Sequence, residues 1–449
     1  MEKKNKIFIM MMIAMVLGYL PWYNFSAVLS QIVAEFALSS RDTGMILSAF
    51  QVGYVIVVLI TGWLSDKVGP KKVVAWATLI TAISSTLFVF LARGFLSILL
   101  LRLVTGLSAG AIYVPGMALL SNWFPKNERG KVIGGYTAAL TMAYGGGYFI
   151  AAPLASRYSW EVGILATSLP VFIAAILVFL FVEEKPGEEN RLKTEKDHSG
   201  IENNTVKDTV KDAVKAKKVH KEEESEKAPG VKAAPQGGYR GPVLITTGYM
   251  GHMWELYAFW GWIGPFMVAS ALAAGYGEAQ AIALGGRLAA MIILLGAPGS
   301  WFFGIVADRW GRINTLMLAS ICSLVAQLFF GFLYGQSMVL IVIVGLWIGL
   351  WVVADSGIYK AGLTEMTDEG IRGTALGVQS AVGYGMTMLS PFVFGSVLEV
   401  FNQGAADPTR AVNWGVPFMM LGMGALLAPI SGWLLKRSPQ AKLMNEKEQ

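Results

Sequence analysis

The sequence predicts an all-α membrane protein whose transmembrane helices, about twelve of them, form two parallel six-helix pseudo-repeats. Three observations lead there. Of 449 residues, 54% are hydrophobic and only 15% charged, with a mean hydropathy of +0.53. A soluble chain carries about a quarter charged residues, because its surface must stay hydrated however large its core. The apolar residues also fall in uncharged runs, such as Val73 to Leu91 and Val162 to Val182. About twenty residues at about 1.5 Å each cross about 30 Å of hydrocarbon. Transmembrane β-strands would instead be short and alternate apolar with polar residues. Finally, two different loop patterns recur in the second half of the chain at nearly one offset.

Taken in order, the expected spans of the first half cover roughly 7–33, 44–65, 72–92, 95–122, 131–155 and 161–183. Those of the second half cover roughly 243–270, 282–306, 313–334, 337–361, 373–400 and 412–435. The apolar run behind Lys3, Lys4 and Lys6 continues past Leu20, too long for the core of a cleavable signal, and reads as the first span. Residues 1–183 and 243–436 are therefore two six-helix bundles, 184–242 a charged linker and 437–449 a tail. The linker is dense in Lys and Glu and nearly free of aromatics, so it cannot bury enough apolar surface to fold alone. Within it Val206, Val210 and Val214 recur every four residues beside Lys207, Lys211 and Lys215, the pattern of a short helix in a flexible connector.

Lys67, Lys71, Lys72, Lys126, Arg129, Lys131, Arg309, Arg312, Arg372, Lys436 and Arg437 all fall at one end of the spans, with the N-terminal lysines. The other end carries only scattered cations such as Arg41, Arg93, Arg157 and Arg410. The positive-inside rule places both termini and the linker in the cytoplasm and the protein in the cytoplasmic membrane. The same placement accounts for the net charge of +6 and the pI near 9.1 without a nucleic-acid partner. Cys322 is the single cysteine and reads as a small buried apolar residue. No metal-ligand spacing or nucleophile elbow is present, so neither an enzyme nor a cofactor is expected.

The repeated patterns are specific. Gly62-Trp-Leu-Ser-Asp66-Lys67-Val-Gly69 follows the second span and Gly304-Ile-Val-Ala-Asp308-Arg309-Trp-Gly311 follows the eighth, an offset of 304 − 62 = 242. Arg129-Gly130 with Gly134 and Arg372-Gly373 with Gly377 repeat at 372 − 129 = 243. With six plus six spans and a charged linker between them, the chain resembles the major facilitator superfamily. The usual motif continues with a basic pair after its second glycine. Here Pro70 takes the first slot before Lys71 and Lys72, while Arg312 fits and Ile313 does not. The resemblance implies a monomeric secondary carrier of a small molecule working by alternating access. It also implies that Gly62, Asp66, Lys67, Gly69, Gly304, Asp308, Arg309, Gly311 and Arg312 form a conformational latch. Small residues let helices approach, and the charged residues cap or pair with a facing helix in one state and release it in the other.

Ionisable residues inside spans are costly and mark function. Arg102 in span four matches the family's Arg-x-x-x-Gly pattern, which implies proton coupling or the floor of a substrate cavity; a bond to span-one carbonyls is the equal alternative. Tyr113, eleven residues on, shares nearly the same face. In span seven Glu255 lies near the midplane and His252 sits three residues before it on one face. A carboxylate with a histidine neighbour in hydrocarbon is suited to take up and release a proton. Glu255, His252 and Arg102 are thus the expected proton-coupling residues, against a fixed His–Glu pair that only orients the helix. Asp355 is expected to pair with Lys360 or to contact substrate. Tyr19, Tyr23, Asn24, Tyr144, Trp254, Tyr257, Trp351 and Gln379 join Arg102, Tyr113 and Asp355 as candidate substrate contacts, each weighed against plain helix packing.

The runs His252-x-Trp254-Glu255-Leu-Tyr257 and Ala354-Asp355-Ser356 resemble a prokaryotic branch grouped with cyanate and nitrate permeases. Nitrate carriers in that branch use paired arginines in spans two and eight. Span two has none here and Arg287 is the lone counterpart in span eight, so a small organic anion or polar metabolite fits better. A proton-driven exporter of hydrophobic or cationic compounds is the alternative. The glycine–proline pattern of antiporters is not clear in span five, where Pro153 follows Gly147 by six residues.

Overall fold

The computed structural model describes residues 2–184, 238–403, 407–442 and 444. These residues are almost wholly helical, with no strand among them. The first half comprises α1 (Lys3–Tyr19), α2 (Pro21–Ala27), α3 (Leu29–Phe36), α4 (Ser40–Val68), α5 (Pro70–Leu91), α6 (Phe95–Trp123), α7 (Lys126–Arg157) and α8 (Trp160–Phe181). The second comprises α9 (Arg240–Ala273), α10 (Glu278–Trp310), α11 (Arg312–Phe330), α12 (Met338–Trp351), α13 (Ser356–Glu365), α14 (Glu369–Phe401), α15 (Gly415–Ala425) and α16 (Leu427–Lys436). Among the described residues, eleven helical segments are long and apolar enough to cross a membrane. Helix α7 occupies the place of the remaining span. It spends its length on glycine, threonine and tyrosine because it is wedged against the first span and against α10 of the other half. The linker helix expected around Val210 lies outside the described residues.

Three spans are broken where continuous helices were expected. The first is interrupted at Leu20–Pro21 and again at Val28, so α3 is a separate helix that ends on Ala37 in the left-handed region (φ 49°). Proline has no N–H to donate, which fits the first position of α2. The tenth span unwinds over residues 352–355 between α12 and α13, and the twelfth turns at Leu426. The repeat extends to backbone geometry: Gly69 and Gly311, closing α4 and α10, have φ of 93° and 100°. A residue with a Cβ is strained there, so the second glycine of each motif copy is required by the turn itself.

Backbones approach closely inside the first half. A methyl group at Gly110 would sit 2.6 Å from the Tyr54 carbonyl oxygen, and one at Gly106 would strike the Phe50 carbonyl oxygen. Lipid is as apolar as leucine, so such contacts hold spans together by dispersion and fit. The halves meet at the end opposite the termini. There Phe392 N–H donates to Ser48 Oγ at 3.1 Å, and Arg41 N–H to Glu399 Oε2 at 2.8 Å. Gly44 packs on the Pro391 carbonyl, Gly286 on Ala152, and Tyr148 OH donates to the Trp260 carbonyl at 2.8 Å. Tyr54 and Tyr384 still touch near the middle, their centroids 5.6 Å apart. Towards the termini the space opens: a methyl group at Gly62, Gly134, Gly304 or Gly377 would meet nothing within 4 Å. The printed contacts between the halves thus gather at the end opposite the termini, and these four glycines near the termini have open space beside them.

Candidate substrate pocket and buried polar cluster

At the base of the open cleft, Trp22, Tyr23, Leu47, Phe50, Gln51, Arg102, Tyr257, Gly261 and Pro391 enclose a small pocket between the two halves. Arg102 of α6 donates through Nη1 to the Pro21 oxygen at 3.0 Å and through Nη2 to the Trp22 oxygen at 2.8 Å. Its guanidinium stands 4.4 Å from the centre of the Phe50 ring. Arg102 is 4% exposed, so a full charge is held in the membrane by two carbonyls and an aromatic face. Arg102 Nε, Trp22 Nε1, Tyr23 OH and Gln51 Oε1 are buried with no hydrogen-bond partner among the described residues. Buried polar atoms are normally satisfied. These four border one small space between the halves, three able to donate and one to accept. Aromatic rings close it: Trp22 lies 6.3 Å from Tyr257 across the halves, and Tyr144 lies 5.3 Å from Trp260.

A second polar group lies within the second half. His252 Nδ1 is 2.9 Å from Asp355 Oδ1, and Nε2 is 2.9 Å from Ser356 Oγ. The ring either donates through Nδ1 and accepts at Nε2, or donates through both as an imidazolium. Glu255 accepts from Gln327 Nε2 at 2.7 Å and from the Ser323 hydroxyl, both on α11. His252, Glu255 and Asp355 are all about 3% or less exposed. One expectation is corrected here, and one alternative is set aside. Asp355 pairs with His252 and not with Lys360, because the unwound turn at 352–355 directs it toward α9. His252 and Glu255 do not pair with each other either. Neighbours on one helix face, they are drawn to different spans.

Other candidate contacts have partners within the protein. Tyr19 OH donates to the Ala109 carbonyl at 2.8 Å, Asn24 Nδ2 to Thr167 Oγ1 at 3.0 Å, and Gln379 Nε2 to the Tyr359 carbonyl at 3.3 Å. Tyr113 OH lies 2.8 Å from Thr137 Oγ1. Trp351 packs on Phe303 at 4.4 Å between centroids, beside Trp347, away from the pocket. Trp254 is half-buried against Gly424 in the twelfth span. Arg287 is exposed and lines no pocket with Arg102. Cys322 is half-buried, its carbonyl accepting from Trp347 Nε1 at 3.1 Å. Tyr23 and Tyr257 do line the pocket, whereas Gln51 was missed; a lone amide in the apolar run around Phe50 and Val52 was the signal.

At the open end the repeated motifs are disengaged. Asp66, Lys67, Asp308 and Arg309 are exposed, with the Lys67 ammonium 4.2 Å from the Trp63 ring centre. Arg312 pairs within its own half with Glu365 at 2.7 Å and Asp308 at 3.7 Å. On the other half Lys3 Nζ lies 2.5 Å from Glu183 and holds that carboxyl below its usual range.

Comparison with known proteins follows the same lines. The family model described as Major Facilitator Superfamily matches residues 11–391. The hexuronate transporter of Bacillus subtilis is 30% identical over 187 residues, which are 42% of this chain and 44% of that protein. The cis,cis-muconate transport protein of Acinetobacter baylyi is 25% identical over 371 residues, covering 82% of this chain and 81% of the relative. Among solved structures, a bacterial homologue of the human lysosomal transporter Spinster, inward-facing and unoccupied, superposes with a TM-score of 0.74 at 13% identity. It covers 100% of this chain and 99% of that one, a likeness of fold.

Proposed function

The chain belongs to the Major Facilitator Superfamily and is a membrane transporter of small solutes; we propose that its solute is a small organic anion, carried by proton-linked alternating access. The observation that carries the anion assignment is the donor-rich pocket around Arg102. A carboxylate offers acceptor oxygens to unpartnered N–H and O–H groups and balances the guanidinium, whereas a cation would be repelled by it. The two relatives above bear the names of organic-anion transporters, which supports the same class. An exporter of hydrophobic cations draws support only from the aromatic walls and buried carboxylates.

Alternating access is supported by the asymmetry of the two ends. The contacts of Gly44, Ser48 and Gly286 must part for the pocket to open away from the termini. The Gly62–Asp66–Lys67 and Gly304–Asp308–Arg309 turns must then meet facing helices. With the lysine- and arginine-rich end in the cytoplasm, the conformation described is the inward-open one. Proton linkage rests on Glu255 and the His252–Asp355 pair. Each can gain or lose a proton, and His252 and Asp355 join α9 to the unwound turn of the tenth span. Charging this cluster inside hydrocarbon changes what it must contact, which is how a proton biases one conformation over another.

A thermal-shift panel on the purified protein tests the substrate class, since a ligand that binds only the folded state raises its melting temperature. Galacturonate or cis,cis-muconate should stabilise it, and Arg102→Gln should lose the response. Stabilisation by cationic dyes alone would move the protein to the exporter class.

A further inference from the structure

We infer that the protein binds an anionic phospholipid on its flank, with an acyl chain in a crevice between α4, α6 and α14 and the phosphate on Arg41. This goes beyond the transported solute and does not rest on its identity. Met45 and Val52 of α4, Leu99 and Leu103 of α6, and Met388 and Phe392 of α14 line a crevice of about 390 Å³. Small-molecule pockets fall in the same range, about 300–1,000 Å³. The one polar side chain on its wall, Ser48, already accepts from Phe392 N–H. The crevice therefore offers nothing to a hydrophilic ligand. It faces hydrocarbon: beside its lining residues, Leu100, Val104 and Leu389 are 49%, 43% and 53% exposed on membrane-spanning helices.

Arg41, Met45, Ser48 and Val52 recur at three- and four-residue spacing and so stand in one row along α4. At about 1.5 Å per residue the row is about 16 Å long, the depth of one leaflet in a hydrocarbon core about 30 Å thick. Arg41 is the second residue of α4, where the span begins. Its guanidinium lies 5.9 Å from the centre of the Phe392 ring, at the rim of the crevice. It is exposed and forms no ion pair with a carboxylate among the described residues. The acids beside it are held by backbone donors, Asp42 by Ser39 N–H and Glu399 by the N–H of Arg41 itself. A planar guanidinium matches two phosphate oxygens, and the apolar row beneath it takes the chain attached to them. A soluble anion would leave the crevice empty, and a neutral hydrocarbon would leave the charge unmet. The crevice also joins the halves, since α4 and α6 belong to the first and α14 to the second. Behind it Gly44 packs on the Pro391 carbonyl, so parting the halves at this end takes the site apart. The lipid thus binds the conformation described and not the opposite one.

The test reconstitutes the full chain in dioleoylphosphatidylcholine vesicles with a trace of phosphatidylglycerol carrying a photoreactive acyl chain, and maps the adducts by mass spectrometry. Peptides holding residues 45–52, 99–103 and 388–392 should be labelled severalfold above the peptide holding Leu180, which is 69% exposed on α8. Arg41→Gln should lower that labelling about threefold, the scale of a partly exposed charge pair. Met388→Trp should fill the crevice and bring labelling down to the level at Leu180; Leu99→Trp takes its place if that variant aggregates on gel filtration. Labelling of the crevice no greater than at Leu180 in the wild type overturns the site. Equal labelling by a photoreactive diacylglycerol, unchanged in Arg41→Gln, overturns the phospholipid assignment by making the crevice a plain hydrocarbon surface.

Discussion

Replacing Glu255 with glutamine should uncouple transport from the proton gradient while leaving the fold and the substrate pocket intact. The carboxylate accepts from Ser323 and Gln327, and the Gln327 carbonyl oxygen is buried without a partner. Glutamine at 255 keeps one acceptor for Ser323. Both bonds end on the same oxygen, Oε1, so a glutamine carbonyl oxygen in that place can accept from Ser323 and Gln327 alike. No bond need be lost, so the stability change should be about 1 kcal/mol or less. Transport should change far more. For one proton carried with one monoanion, a gradient of two pH units is worth about 2.7 kcal/mol and sustains about a hundredfold accumulation. In proteoliposomes, Glu255→Gln should reduce that ratio to about one, whereas exchange of labelled for unlabelled substrate continues at about the wild-type rate. Acid-driven accumulation that persists in the variant would remove Glu255 from the coupling role. Loss of exchange as well would make it a structural residue.

Three other changes probe different parts of the account. Arg102→Lys keeps a charge but not the two-pronged bond to the Pro21 and Trp22 carbonyls, and should cost about 1–3 kcal/mol in stability and weaken anion binding, read by thermal shift. Asp66→Asn alters an exposed group at the open end, so turnover should fall several-fold with KM nearly unchanged; an unaltered rate returns that turn to a plain surface loop. Gly106→Leu forces a side chain into the Phe50 carbonyl where α4 and α6 touch, and should prevent accumulation of folded protein, judged by gel filtration.

The helical spans were legible because hydrocarbon demands long uncharged runs, and the repeat was legible because its turn needs glycine at Gly69 and Gly311. Even the fifth span, the least apolar, could be placed by its neighbours. The breaks were harder to see. Pro21 marks one of them, but the unwound turn at 352–355 contains neither glycine nor proline to announce it. That turn decides the partner of Asp355, so the expected bond to Lys360 went wrong with it. Sequence spacing puts His252 and Glu255 on one face, but which span each side chain reaches depends on neighbours that spacing does not encode. Arg102 fared best. Its bond to span-one carbonyls was one of two readings, and the same carbonyls seat it at the edge of the pocket.

The claim that this chain is a proton-linked carrier of organic anions is tested most directly by uptake of labelled cis,cis-muconate and galacturonate into proteoliposomes of the wild-type protein, with and without an acid-outside gradient. The account predicts accumulation of at least one anion above its external concentration, lost when a protonophore collapses the gradient. Equilibration that never exceeds the external level with either anion, or proton-driven movement of cationic dyes in their place, would contradict it.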